Sequence, residues 1–66
     1  MKIVVTHPDA PARTHWVHAL SERLPDATVL AWPDPQAADA DFALVWKPPA
    51  GFFDAHPRLR AVFSAG

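Results

Sequence analysis

Four histidines, and a tryptophan followed directly by a lysine, are the side chains of this chain best equipped for chemistry. His7 precedes a proline in THPD, His15 and His18 stand three apart, and His56 lies in DAHPRL just after Asp54. Trp46 and Lys47 close an apolar run, FALVWKPPAG, that is then stopped by two adjacent prolines and a glycine. An imidazole trades protons near neutral pH or ligates a metal, a lysine holds an anion, and an indole walls a pocket. The spacing of His15 and His18 suits two metal ligands on one helix face, but no third ligand stands near them. A solvated helix surface is the expectation for both, with no metal site. Asp54 and His56 are too close in sequence to imply a catalytic pair on their own. With no cysteine, thiol catalysis and disulfides are excluded. With only two glycines, a G-x-G-x-x-G phosphate loop is impossible, and no nucleophile elbow is present. The residues offer the walls of a pocket rather than a complete catalytic set.

Short, alternating elements must position them. KIVVT, Lys2 to Thr6, is β-branched and apolar, as expected of a strand buried on both faces. HPDAP follows, with Asp9 as a cap and Pro11 in a first helical turn. Trp16, Val17, Leu20 and Leu24 then form one helical stripe, which Pro25 ends near Leu24. ATVLAW (Ala27 to Trp32), FALVW (Phe42 to Trp46) and AVFSA (Ala61 to Ala65) read as three further strands. QAADAD fits a turn of helix or an irregular connection. Phe52 and Phe53 could begin a short helix limited by Pro57.

Strand, helix and strand followed by two connectors and two strands is the grammar of a parallel α/β sheet. In such sheets ligands bind outside the carboxyl ends of the strands, near the point where strand order reverses. Strand order 2-1-3-4 would place His7 beside Trp46 and Lys47, with Gly66 next along. Plainer roles compete with these. Trp46 could only pack, Lys47 could only be solvated, and the prolines could only end a strand and protect its edge.

The chain has 66 residues, of which 50% are hydrophobic and 20% charged, with a net charge of −1. That composition belongs to a globular protein and gives neither the clustered basic surface of a nucleic-acid binder nor that of an anionic-membrane binder. The apolar run after Met1 is too short for a signal-peptide core or a membrane span, so a soluble, cytoplasmic protein is expected. A domain of this size is marginal, and one good helix cannot cover a parallel sheet on both faces. The expectation is an N-terminal piece of a larger α/β protein.

HP after the first strand, LVWKPP, and LRAVFSAG occur in an order and spacing that resemble the D-isomer-specific 2-hydroxyacid dehydrogenases, in their glyoxylate/hydroxypyruvate reductase branch. ATVLAW and the tryptophan of the first helix are similar too, so the resemblance covers essentially the whole chain. It implies that residues 1–66 are the N-terminal part of a flavodoxin-like substrate-binding domain. The NAD(P)-binding Rossmann domain, and the histidine, glutamate and arginine that act on the substrate, would lie outside this chain. By resemblance Trp46 lines the substrate side of the cleft, and Lys47 takes a position that varies between lysine and histidine. Gly66 begins a loop whose backbone amides bind the substrate carboxylate, and Ser64 and Ala65 lead into it. The implied parent is a homodimer that reduces a small 2-oxo acid with NADPH or NADH. The fragment by itself is expected to bind no cofactor and catalyse nothing. A non-catalytic flavodoxin-like module, such as a signalling receiver, is the alternative. A receiver needs an aspartate after its third strand and acids after its first to hold Mg²⁺, where this chain has Trp46 and Thr6–His7.

Overall fold

A computed structural model describes residues 1–65 of the chain. Four strands form one sheet: β1 (Lys2–Thr6), β2 (Thr28–Ala31), β3 (Phe42–Val45) and β4 (Ala61–Ser64). The order is β2-β1-β3-β4 and every pairing is parallel, the arrangement of a flavodoxin-like α/β fold. β1 sits between two neighbours and is covered on both faces, which is why it can be Ile3-Val4-Val5-Thr6 with all four buried.

Between β1 and β2 runs the one α-helix among the described residues, α1 (Ala10–Arg23). Asp9 caps it, its carboxylate accepting the Ala12 N–H at 3.1 Å, and the Leu24 N–H returns to the Leu20 carbonyl at 2.8 Å to close the last turn. No residue of α1 is fully buried. Trp16, Val17 and Leu20 are half-covered and Leu24 is exposed, so the stripe expected from the sequence rests on the sheet without being sealed.

Side chains alternate across the sheet, so Val4, Ala43 and Val45 face away from the side that carries Ile3, Val5 and Leu44. The first set packs with Ala37, Ala40 and the fully buried Phe52 into the core, joined by Leu30, Trp32 and Leu59. Ala37 comes from a 3₁₀ helix, Pro35–Asp39, whose cap is Asp34 (Gln36 N–H to Oδ1, 2.8 Å). Small alanines let that short segment lie close against β1.

The amino end of the sheet is tied by charge. Lys2 Nζ pairs with Asp39 and donates to the Gln36 carbonyl at 2.7 Å. That ammonium, hydrogen-bonded to Asp39, holds its carboxyl below the usual carboxylate range. The Lys2 N–H donates to the Asp41 carboxylate at 2.9 Å, and the Arg60 N–H to the Asp41 carbonyl at 2.7 Å, so Asp41 links β1 to the start of β4.

Two details differ from the reading of the sequence, and a third settles an open choice. The strands are shorter at their ends, leaving Ala27, Trp32, Trp46 and Ala65 just outside. Trp32, Trp46 and Ala65 still donate across the ladder, to Val5, Thr6 and Val45, and after Trp32 the pairing lapses where Pro33 follows. Residues 51–55 form turns and not a helix. Gly51, at φ +82°, is in the left-handed region that interrupts helical winding, and the Ala55 N–H to Gly51 carbonyl bond (3.0 Å) closes a single turn that is not continued. QAADAD, left open between a turn of helix and an irregular link, supplies most of the 3₁₀ helix.

Candidate functional site

The carboxyl edge of the sheet collects, in spatial order, Trp32 after β2, His7 after β1, Trp46 and Lys47 after β3, and Ala65 after β4. Strand order reverses between β1 and β3, the place where open parallel sheets hold ligands. Thr6 is paired with Val45, and the Trp46 N–H donates to the Thr6 carbonyl at 3.1 Å. His7 and Trp46 are therefore neighbours at the switch point, as the strand order expected from the sequence requires. Gly66 lies outside the described residues.

His7 is held from three directions. Its Nδ1 accepts the Asp9 N–H at 2.9 Å, and Arg13 Nη1 donates to its carbonyl at 3.0 Å. Its ring meets the Trp16 indole edge-on, at 4.7 Å between centroids and 90° between planes. An Nδ1 that accepts carries no proton, so the neutral ring bears its hydrogen on Nε2. Among the described residues nothing accepts from Nε2, and no half-buried or buried side-chain nitrogen is sealed from solvent without a partner. The Nε2–H is thus a free donor, open to solvent.

Trp46 is half-buried and Lys47 exposed, with the Lys47 ammonium 5.6 Å from the indole centroid, within cation–π range. Lys47 has φ +48°, a left-handed conformation that few non-glycine residues adopt and that costs on the order of 1–2 kcal/mol. Pro48 follows at once, and a proline crowds the right-handed helical conformation of the residue before it. The strained backbone and the prolines hold the Trp46–Lys47 pair at the mouth of the switch point. Lys47 makes no ion pair with any described residue, in contrast to Lys2 at the opposite end. An indole face beside an ammonium that has no ion pair among the described residues suits a small anion.

Trp32 belongs elsewhere. It packs edge-on against Phe52 (5.4 Å, 71°) and His56 (5.2 Å, 65°), and His56 Nδ1 lies 2.6 Å from the Phe52 carbonyl. That contact makes Nδ1 the protonated nitrogen of a neutral His56. His56 is a buried plug of the core and forms no pair with the exposed Asp54. The sequence reading missed this cluster. Its one legible trace is the i, i+4 spacing of Phe52 and His56. The Trp32–Pro33 peptide is cis. His15 and His18 are exposed on α1, with His18 Nδ1 3.5 Å from Glu22. Among the described residues no group of three or more metal-ligating side chains comes together, and no helix is long and apolar enough to cross a membrane.

No family model matches the chain. Curated proteins do, along its whole length. It is 42% identical over all 66 residues to a protein of Serratia proteamaculans named glyoxylate/hydroxypyruvate reductase A, covering 21% of that protein. Proteins of the same name from Salmonella paratyphi B and Salmonella newport are each 44% identical over 66 residues, with 20% of their length covered. The resemblance read from LVWKPP and LRAVFSAG thus extends to every part of the chain, which spans about a fifth of the length of these relatives.

Proposed function

We propose that these 66 residues are the opening part of the substrate-binding domain of an NAD(P)H-dependent glyoxylate/hydroxypyruvate reductase of the D-isomer-specific 2-hydroxyacid dehydrogenase type. The observation that carries this reading is end-to-end similarity to reductases of that name. The carboxyl edge supports it, since Lys47, which has no ion pair among the described residues, and the Trp46 indole stand where a parallel sheet receives ligands. In this reading Trp46 walls the substrate, Lys47 draws the anionic acid towards it, and a loop starting at Gly66 offers backbone amides to the carboxylate.

The nicotinamide cofactor does not fit these residues. β1 is followed by no glycine-rich turn, and the first turn of α1 is already capped by the Asp9 carboxylate. A negative charge therefore occupies the place where a dinucleotide would lay its pyrophosphate. In the proposal NADPH or NADH is bound by a separate domain of the parent, which works as a cytoplasmic homodimer. The receiver-like alternative draws no support from this edge, where Trp46 stands in place of a phosphate-accepting aspartate.

The test is turnover by the full-length parent protein, followed through loss of nicotinamide absorbance with glyoxylate or hydroxypyruvate. Both acids should be reduced, and Trp46→Ala should raise KM by about tenfold, the weight of one well-packed aromatic contact. The isolated 66-residue chain should reduce neither. Turnover by that chain alone, or a parent inactive on both acids, would defeat the proposal.

A further inference from the structure

We infer that Trp46 is a positioning residue that acts through Lys47: the left-handed backbone of Lys47 swings its ammonium onto the Trp46 indole, and the ring face holds that charge ready for the anionic acid. This role rests on the proposed function and adds to it a division of labour between the two side chains.

Backbone geometry brings the pair together. Side chains alternate along a strand, so Trp46 continues the face of Leu44, and an extended Lys47 would continue that of the buried Val45. At φ +48° the Lys47 N–Cα bond is turned by roughly 170° from its extended setting. That rotation carries its Cβ across the plane of the preceding peptide, and the ammonium lies 5.6 Å from the indole centroid. The Trp46 N–H to Thr6 carbonyl bond, at 3.1 Å, fixes the backbone of the tryptophan itself at the switch point.

Neither the local sequence nor stability accounts for the conformation. Pro48 disfavours the right-handed helical region for Lys47 and leaves the extended one open. An exposed cation–π contact is worth no more than the strain it would have to offset. The strain sits at the mouth of the switch point and ends in a charge with no ion pair among the described residues. That is the arrangement of a group held ready for an anion. A free lysine gives up much rotamer freedom on binding, and one resting on an indole has less to lose. The ring face thus lowers KM through the ammonium.

The experiment is a double-mutant cycle in the full-length parent, read as KM and kcat for glyoxylate. Trp46→Leu keeps an apolar wall without the ring face, Trp46→Phe keeps a weaker ring face, and Lys47→Met keeps the side chain without its charge. Trp46→Leu should raise KM about fivefold when Lys47 is present and less than about twofold in the Lys47→Met background, with kcat little changed. Trp46→Phe should recover part of the loss. Equal increases in the two backgrounds would show Trp46 to be a wall and no more, and would overturn the inference alone. So would a Lys47→Met variant with wild-type KM, because the ammonium would then not meet the acid. A Phe variant no better than Leu would overturn the cation–π assignment. Lys47→Gly, which relieves the left-handed strain, should melt above Lys47→Met, and a midpoint no higher would overturn the part given to the backbone. A parent that reduces neither acid would overturn the functional reading and this inference with it.

Discussion

Phe52 shows how much one side chain can carry in a small sheet. It is the largest fully buried residue and contacts Trp32, Phe53 and His56 by its ring alone. Truncation leaves a cavity that neighbours anchored to the sheet cannot collapse into. Phe52→Ala should therefore cost about 3–5 kcal/mol, and Phe52→Leu under about 1.5. Urea denaturation of the two variants checks the ordering, and equal midpoints would refute the plug role of the ring. Phe53, next in the chain, is 51% exposed, so the same truncation there should be mild. The sequence could not tell the two phenylalanines apart. Their types are identical, and the choice is made by the turn that Gly51 opens and the Ala55 N–H closes. Trp46 and Lys47 were legible because they end an apolar run. The left-handed φ of Lys47 was not, since no neighbouring residue type demands it.

At the scale of elements, the sequence was read most surely where a residue type has one structural use. Asp9 and Pro11 announce the start of α1, Pro25 follows its end, and β-branched KIVVT announces a central strand. The 3₁₀ helix and the turns at 51–55 were less legible, because alanine and phenylalanine serve helices, strands and turns alike and tertiary packing decides among them. The cap gives a clean test. Asp9→Ala removes the acceptor for the Ala12 N–H but keeps the backbone N–H that His7 Nδ1 accepts. It should cost about 1 kcal/mol of stability, read as a lower thermal midpoint. An unchanged midpoint would mean that water replaces the cap at no cost. Strand order was predictable from the connection rules, yet the juxtaposition of His7 and Trp46 exists only once the sheet is assembled.

For the molecule as a whole, coverage is uneven. One face of the sheet carries the sealed core, while the other holds an open hollow of about 360 Å³ lined by Met1, Ile3, Leu20, Leu24, Phe42 and Phe63, among others. Val62 and Phe63 on β4 are 44% and 59% exposed. An apolar face beside an apolar outer strand favours self-association. In size exclusion the isolated 66-residue chain should elute larger than a monomer and bind a hydrophobic dye, and Phe63→Asp should shift it towards monomer and weaken the dye signal. A monomeric wild-type chain that binds no dye would contradict this. The strand order also has a consequence in time. β1 leaves the ribosome first, yet both of its partners, β2 and β3, are made later. Its valines must wait, unpaired, while Thr28 and then Phe42 are synthesised. During that interval the strand that ends most deeply buried is the one with no neighbour, so the nascent chain is most open to chaperones and to misfolding before β3 emerges.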